Sequence, residues 1–293
     1  MGTWRALTQQ LQVQHGIRLL ETTPRPVSGG DIHRAYRVDS ASGPLFIKTN
    51  TDCSLEQFQA ELAGLEALGD TGCIRVPKPL AIGQAGAMAY LVLEWLDLLP
   101  PDAHSATRMG QGLAALHCHS AGYFGFPSDN YIGLTPQPNS PTGSWVGFFC
   151  EHRLGFQLDL AISKGFQFLR DDGRRLVNEL DTLFAGHDPM PSLLHGDLWG
   201  GNWASLNSGE PVIFDPAVYY GDRETDLAMT RLFGGFSDNF YTAYQVAWPM
   251  SAGWQWRSEL YQLYHVLNHA NLFGAGYARD AQARIKRLLS QVS

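Results

Sequence analysis

The sequence predicts an α+β chain in two lobes: a small N-terminal lobe of antiparallel sheet plus a helix over residues 1–96, and a larger, mainly helical lobe over 97–293. Three observations carry this. β-rich runs with glycine-containing turns lie early in the chain and include a strand that ends in Lys48. One helix-period segment, Phe58 to Leu68, follows that strand. From Ser105 onward helical spacing dominates, except where LLHGDLWGGNWASLNSGEPVIFDP (Leu193 to Pro216) reads as a loop and a hairpin.

In chain order, Trp4, Leu7, Leu11 and Ile17 mark an amphipathic opening helix. Ser28-Gly29-Gly30-Asp31-Ile32 precedes an alternating run to Val38, a turn at Ser40 to Gly43, and the strand Leu45-Phe46-Ile47-Lys48. Gly29 and Gly30, with Asp31, are candidates for a phosphate cradle, because glycine lets backbone N–H groups approach without a Cβ in the way. Ser54 and Gln57 suggest a capping box for the next helix, whose stripe is Phe58, Leu62, Leu65 and Leu68. Glu61 falls within that stripe. An inward carboxylate is costly unless paired, so Lys48 is its expected partner, with Glu66 the competing acid. Val76-Pro77-Lys78-Pro79 is an extended connector. Met88 to Trp95 reads as a buried strand that ends in a hinge at Glu94-Trp95-Leu96-Asp97, where Glu94 and Leu96 are candidate contacts for a nucleotide base through the backbone.

Ser105 to His119 predicts a helix with Met109, Leu113, Leu116 and His117 on one face. His117 and His119 point about 200° apart on it, so they are packing residues rather than a metal pair. Gly122 to Pro141 is an irregular segment with packed rings, expected in part to cover a substrate pocket and to be anchored by a helix with Phe148, Phe149 and Arg153. In the central stretch, Asp197 and Asn202 stand five apart, with His195 two before the aspartate. That spacing suits phosphoryl transfer. A hairpin through Trp203 to Leu206, a turn at Asn207-Ser208-Gly209 and the run Val212-Ile213-Phe214 would bring Asp215 back towards Asn202. Magnesium takes oxygen ligands, for which Asn202 and Asp215 are the candidates. A hydroxyl acceptor needs a base held off the metal, and Asp197 fits that role. Asp222 reads as an N-cap and Asp226 as an acid suited to the helix dipole. Phe236 to Ser293 reads as helical core without chemistry.

The formal charge of −7, with no Lys/Arg cluster, argues against nucleic acid as a partner. Cys53, Cys73, Cys118 and Cys150 are scattered, with no zinc or redox spacing. The first residues lack the apolar core of a signal peptide, and Met88 to Leu99 is too short and too charged to cross a membrane. The expectation is a reduced, cytoplasmic monomer that does not engage membranes.

With both lobes read, the chain resembles the fructosamine kinase (ketosamine-3-kinase) family, a branch of the aminoglycoside phosphotransferase-like kinases. The residues that carry this are Ser28 to Ile32, Phe46-Ile47-Lys48, Glu61, Val76 to Pro79, Leu93-Glu94, HGDLWGGN from His195, DPAVYYG from Asp215 and ETDLAMTRLFGGF from Glu224. The resemblance implies a protein-kinase-like two-lobe fold. It also implies ATP- and Mg²⁺-dependent phosphorylation of the O3 hydroxyl of ketosamines (fructosamine, ribulosamine or erythrulosamine adducts, free or on glycated lysine), in deglycation. On matching positions, Asp197 is the base, Asn202 and Asp215 the metal ligands, and Lys48 and Glu61 the phosphate-holding pair. Trp199 and His195 are assigned to the substrate, Trp199 as a wall for the sugar, and Asp226 braces the catalytic loop. Asp-Pro-Ala at Asp215, where protein kinases carry Asp-Phe-Gly, and the lack of an Ala-Pro-Glu segment speak against protein phosphorylation. The rival readings are a kinase for another small hydroxyl compound (an aminoglycoside, choline or a sugar), a catalytically silent nucleotide-binding module, and a metal-dependent hydrolase built on His195, Asp197 and Asp215.

Overall fold

The computed structural model describes residues 2–20, 23–27, 33–51 and 55–292. Gly29, Gly30 and Asp31 of the expected phosphate loop, with Cys53 and Ser54, lie outside the described residues. Helix α1 (Gly2–His15) packs on a five-stranded antiparallel sheet built from β1 (Arg25–Val27), β2 (Arg34–Ser40), β3 (Gly43–Asn50), β4 (Pro79–Ala85) and β5 (Met88–Glu94) in the order β1-β2-β3-β5-β4. Helix α2 (Leu55–Gly69) lies between β3 and β4 in sequence. Strands β1 and β4 had no strand signal of their own: β1 is three residues long, and β4 begins at a proline and contains Gly83.

Side chains alternate across a strand, and this decides what the sheet offers to each neighbour. On β5, Met88, Tyr90 and Val92 join Leu7 and Leu11 of α1, while Ala89, Leu91 and Leu93 join Phe58, Leu65 and Leu68 of α2 in the main core. On β3, Leu45 and Ile47 face α1. Lys48 therefore falls on the α2 face, where it stands opposite Leu91 in register. Burying each such leucine contributes about 1.5–3 kcal/mol, so a one-residue slip that exposed this set would be strongly disfavoured, and the position of Lys48 is held with it.

The remainder is mainly helical. Helix α3 (Ala103–His117) begins two residues earlier than its apolar face suggests, because Asp102 and Ser105 cap it reciprocally: the Ser105 N–H donates to Asp102 at 2.7 Å and the Asp102 N–H to Ser105 at 2.8 Å. The segment after it contains the hairpin β6 (Asn130–Ile132) and β7 (Thr135–Gln137). Next come α4 (Trp145–Phe148), a π-helical turn (Phe149–Gly155), α5 (Phe156–Ser163), α6 (Arg170–Asn178) and α7 (Leu180–Leu183). Strand β8 (Ser192–Leu194) pairs with β11 (Tyr219–Gly221), and between them β9 (Trp203–Ser205) pairs with β10 (Pro211–Ile213). Helices α8 (Glu224–Leu232), α9 (Asp238–Ala247), α10 (Trp254–Phe273) and α11 (Ala275–Leu289) complete the chain. No helix among the described residues is long and apolar enough to cross a membrane.

One buried group in α10 makes the fold sensitive to acid. His265 is 1% exposed and neither ring nitrogen has a partner among the described residues. Burial, helped by His269 and Arg153 and opposed by Asp226, pushes its pKa down to about 3. The unfolded chain therefore takes up this proton first as pH falls. The stability that comes from keeping the ring neutral is complete above about pH 6.5 and is lost towards pH 3. Urea unfolding between pH 7.5 and 4 is expected to show stability falling with pH, and His265→Leu is expected to flatten that slope. His33, pushed down to about 4 mainly by burial, supplies part of what remains.

Candidate active site

The centre of the site is a buried amine between two acids. Lys48 Nζ donates to Glu61 Oε1 at 2.7 Å and also to Asp215 Oδ1, which arrives from the segment after β10. Burial opposes the charge on Lys48, but Asp215 and Glu61 outweigh it and hold the pKa above that of an ordinary lysine. Glu66, the competing acid on α2, is exposed.

The hairpin folds as its residue types require. Gly209 adopts φ +74° in the turn, and Ile213 stands opposite Trp203. The Phe214 N–H then donates to Asn202 O at 3.1 Å, which sets Asp215 beside the loop that carries Asp197 and Asn202. Asp215 has φ 57°, the left-handed region that aspartate tolerates better than most residues but at some cost. Asn202 Nδ2 donates to Asp197 O at 2.9 Å and to Asp197 Oδ2 at 3.3 Å. That orientation leaves Asn202 Oδ1 without a hydrogen bond among the described residues. Burial, with Asp215 and Asp226 nearby, raises the Asp197 pKa to about 7, against the pull of the Asn202 amide.

Asp226 holds this loop in place. It is 1% exposed and accepts from the His195 N–H at 2.8 Å, the Gly196 N–H at 2.9 Å and His117 Nε2 at 3.2 Å. Burial alone would raise its pKa, but His117, His195 and the Gly196 N–H reverse that and keep it low. His117 is fixed in turn by the Tyr244 hydroxyl at 2.8 Å on Nδ1. Gly196 has φ +83°, and a Cβ there would stand 1.9 Å from Ala217 O, so the position admits only glycine.

A model of the family described as fructosamine kinase matches residues 3–291. The chain belongs to the fructosamine kinase family. It is 47% identical over 287 residues to a Synechocystis protein named "probable ketoamine kinase", covering 98% of this chain and 97% of that one. It is 40% identical over 263 residues to a chloroplastic protein-ribulosamine 3-kinase of Oryza sativa, covering 88% of this chain and 76% of the relative. The crystal structure of a Haemophilus somnus chain assigned as a fructosamine-3-kinase superposes with a TM-score of 0.90 at 30% identity over 98% of both chains.

His195 does not face a substrate. It is fully buried, its Nε2 donates to Phe214 O at 3.0 Å, and its Nδ1 accepts from the Asp197 N–H at 3.2 Å. Burial lowers its pKa, so the ring is a neutral strut between the loop and the strand before Asp215. Glu94 has its side chain on Arg75 at 2.5 Å and on the Lys78 N–H at 2.6 Å, and its own N–H on Lys78 O at 3.0 Å, so it secures the connector to the hinge. Leu96 is half-buried, and its carbonyl accepts from Leu98 at 3.0 Å. In the 122–141 segment, Asn130 donates to Val218 O at 2.7 Å and Gln137 to Ala217 O at 3.1 Å, which supports the chain just after Asp215. Arg153, fully buried in the π-helical turn, stacks 3.9 Å from the Tyr219 centroid and donates to Asn139 at 2.6 Å.

The C-terminal helices carry something that periodicity did not flag. Trp199 is 39% exposed beside Asp197 and meets Phe233 edge-on at 6.4 Å. Phe233 packs 4.8 Å from His269, which lies 5.1 Å from Tyr277. These rings form an aromatic arc from Trp199 to Tyr277. Elsewhere, His187, Asp222 and Glu224 cluster closely enough to suggest a metal site. Arg257 takes both Glu224 oxygens at 2.7 Å, and His187 and Tyr261 both donate to Asp222, so that network closes without an ion.

Removing the brace is expected to cost more than one hydrogen bond. Asp226→Ala strands two loop N–H groups and the His117 ring, and is expected to lose about 3–5 kcal/mol in chemical unfolding. Asp226→Asn, which keeps one acceptor, is expected to lose less. Gly196→Ala is expected to reduce turnover at least a hundredfold in a steady-state assay, with a smaller effect on melting.

Proposed function

We propose that this chain is an ATP-dependent kinase that transfers a phosphoryl group to the O3 hydroxyl of small ketosamines, free or on glycated lysine, and that it acts as a cytoplasmic monomer in deglycation. The observation that carries the reading is Lys48 bound to Glu61 and Asp215 at once, within the framework of a family of kinases. Residues 1–96 form the nucleotide lobe in this reading and 97–293 the catalytic lobe.

The donor set fits magnesium: Asp215 offers a carboxylate that is 40% exposed and Asn202 a free amide oxygen, and both are hard ligands. These two residues would hold Mg²⁺, which when bound offsets the negative charge of a phosphate chain. Lys48, kept protonated, adds a fixed positive charge beside Asp215. Asp197 is the base. Its Oδ1 accepts no hydrogen bond among the described residues, and its raised pKa gives it useful affinity for a hydroxyl proton near neutrality. Asn202 holds the carboxyl in one orientation, and His195 fixes the Asp197 backbone through its N–H. Trp199 and Phe233 present apolar ring faces to the sugar and its alkylamine.

Asp197→Ala is expected to abolish turnover, at least a thousandfold, while calorimetric ATP affinity stays within threefold; lost affinity would contradict the role. Asp215→Ala is expected to lose the Mg²⁺-dependent part of nucleotide binding, which a metal titration checks. Phosphorus NMR of products from fructose-, ribulose- and erythrulose-lysine is expected to show an O3 phosphate, whereas transfer only to aminoglycosides would sink the proposal.

A further inference from the structure

A second cavity, of about 480 Å³, opens between α8, α9 and α10 and shares no lining residue with the site around Lys48 and Asp197. Its volume is in the range that holds small ligands. Leu227, Ala228, Val246, Met250 and Trp254 make much of the wall apolar.

Arg231, in the last turn of α8, is the polar feature that stands out. Its guanidinium lies 3.8 Å from the Tyr241 centroid and 4.8 Å from the Trp254 centroid. It makes no hydrogen bond or ion pair among the described residues, and it differs in this from the other arginines stacked on rings nearby. Arg153 and Arg223 each donate to carbonyls as well, and Arg257 is paired with Glu224. Two rings lie against the exposed Arg231 guanidinium, and its donors have no protein partner among the described residues. That is a preorganised receptor for a planar anion. Glu224, the other ionised group on the wall, has both oxygens taken by Arg257, so its charge is already balanced.

We propose that this cavity binds a monocarboxylate with an apolar body of about eight carbons, the carboxylate on Arg231 and the chain along Leu227, Val246, Met250 and Trp254. A single guanidinium matches one negative charge with two parallel hydrogen bonds. A phosphate, carrying nearly two charges and three acceptor oxygens, calls for more donors than this wall supplies. The apolar surface sets the other half of the ligand. Helix α8 also carries Asp226, so the cavity and the catalytic loop are attached to the same short helix.

The test is calorimetric titration of the full chain with octanoate, octan-1-ol and acetate. Wild type is expected to bind one octanoate saturably and at least tenfold more tightly than octanol or acetate. Arg231→Gln, an exposed change expected to leave the circular dichroism unaltered, weakens octanoate at least tenfold and leaves octanol within twofold. Thr242→Trp, which crowds the exposed rim, weakens octanoate and octanol alike. Equal affinity of wild type for octanoate and octanol, unchanged octanoate binding in Arg231→Gln or in Thr242→Trp, or no saturable octanoate binding overturns the proposal.

Discussion

The rest of the site depends on keeping one ammonium charged out of water. Lys48 is 7% exposed, a position in which a lone amine would shed its proton, and it remains an ion because Glu61 and Asp215 reach it from different parts of the chain. Each partner is itself fixed by something non-local. Glu61 sits on a helix whose stripe packs into the main core, and Asp215 follows a hairpin whose strand hydrogen-bonds the loop. Losing either acid leaves a buried charge half compensated, which is more damaging than losing both members of a pair. The arrangement therefore acts as a check on the relative placement of sheet, helix and hairpin.

A second layer of fixed charge stands behind the loop. Asp226 satisfies two backbone donors that would otherwise be buried and unpaired, and His117 from α3 completes its shell. His195 works without charge: a neutral ring with one donor and one acceptor can link Phe214 O to the Asp197 N–H, whereas an imidazolium could not accept at Nδ1. Burial favours that neutral form, against the pull of Asp226. The same desolvation raises Asp197, so a single physical effect keeps the His195 ring neutral and increases the proton affinity of a carboxyl two residues on. Together they hold the loop in one shape before any ligand arrives, which is the condition for electrostatic preorganisation.

Much of this was legible from residue order. The inward position of Glu61 followed from its place in the stripe, and the pairing with Lys48 from the cost of an unpaired acid. The hairpin before Asp215 followed from its turn residues. Asp226 was read as a brace from the family likeness, and His117 as a packing residue from helical geometry. The failures have equally physical causes. His195 was given to the substrate because nothing in an H-G-D string says which way a ring points. Strand β4 was missed because proline and glycine weaken its local signal, which the sheet overrides. The aromatic arc and the Arg231 cavity were invisible because each joins side chains from separate helices.

What the sequence determined by itself was therefore whatever is encoded within one element or one turn: the stripe of α2, the strand that carries Lys48, though not its end at Asn50, the spacing of Asp197 and Asn202, and the residue types suited to a metal and a base. What only the tertiary structure decided was which side chains share a dielectric environment. Burial, and the partners it brings within hydrogen-bond reach, set the charge on Lys48, the neutrality of His195 and the freedom of Arg231. Those are properties of neighbours distant in the chain, and no local pattern of residues contains them.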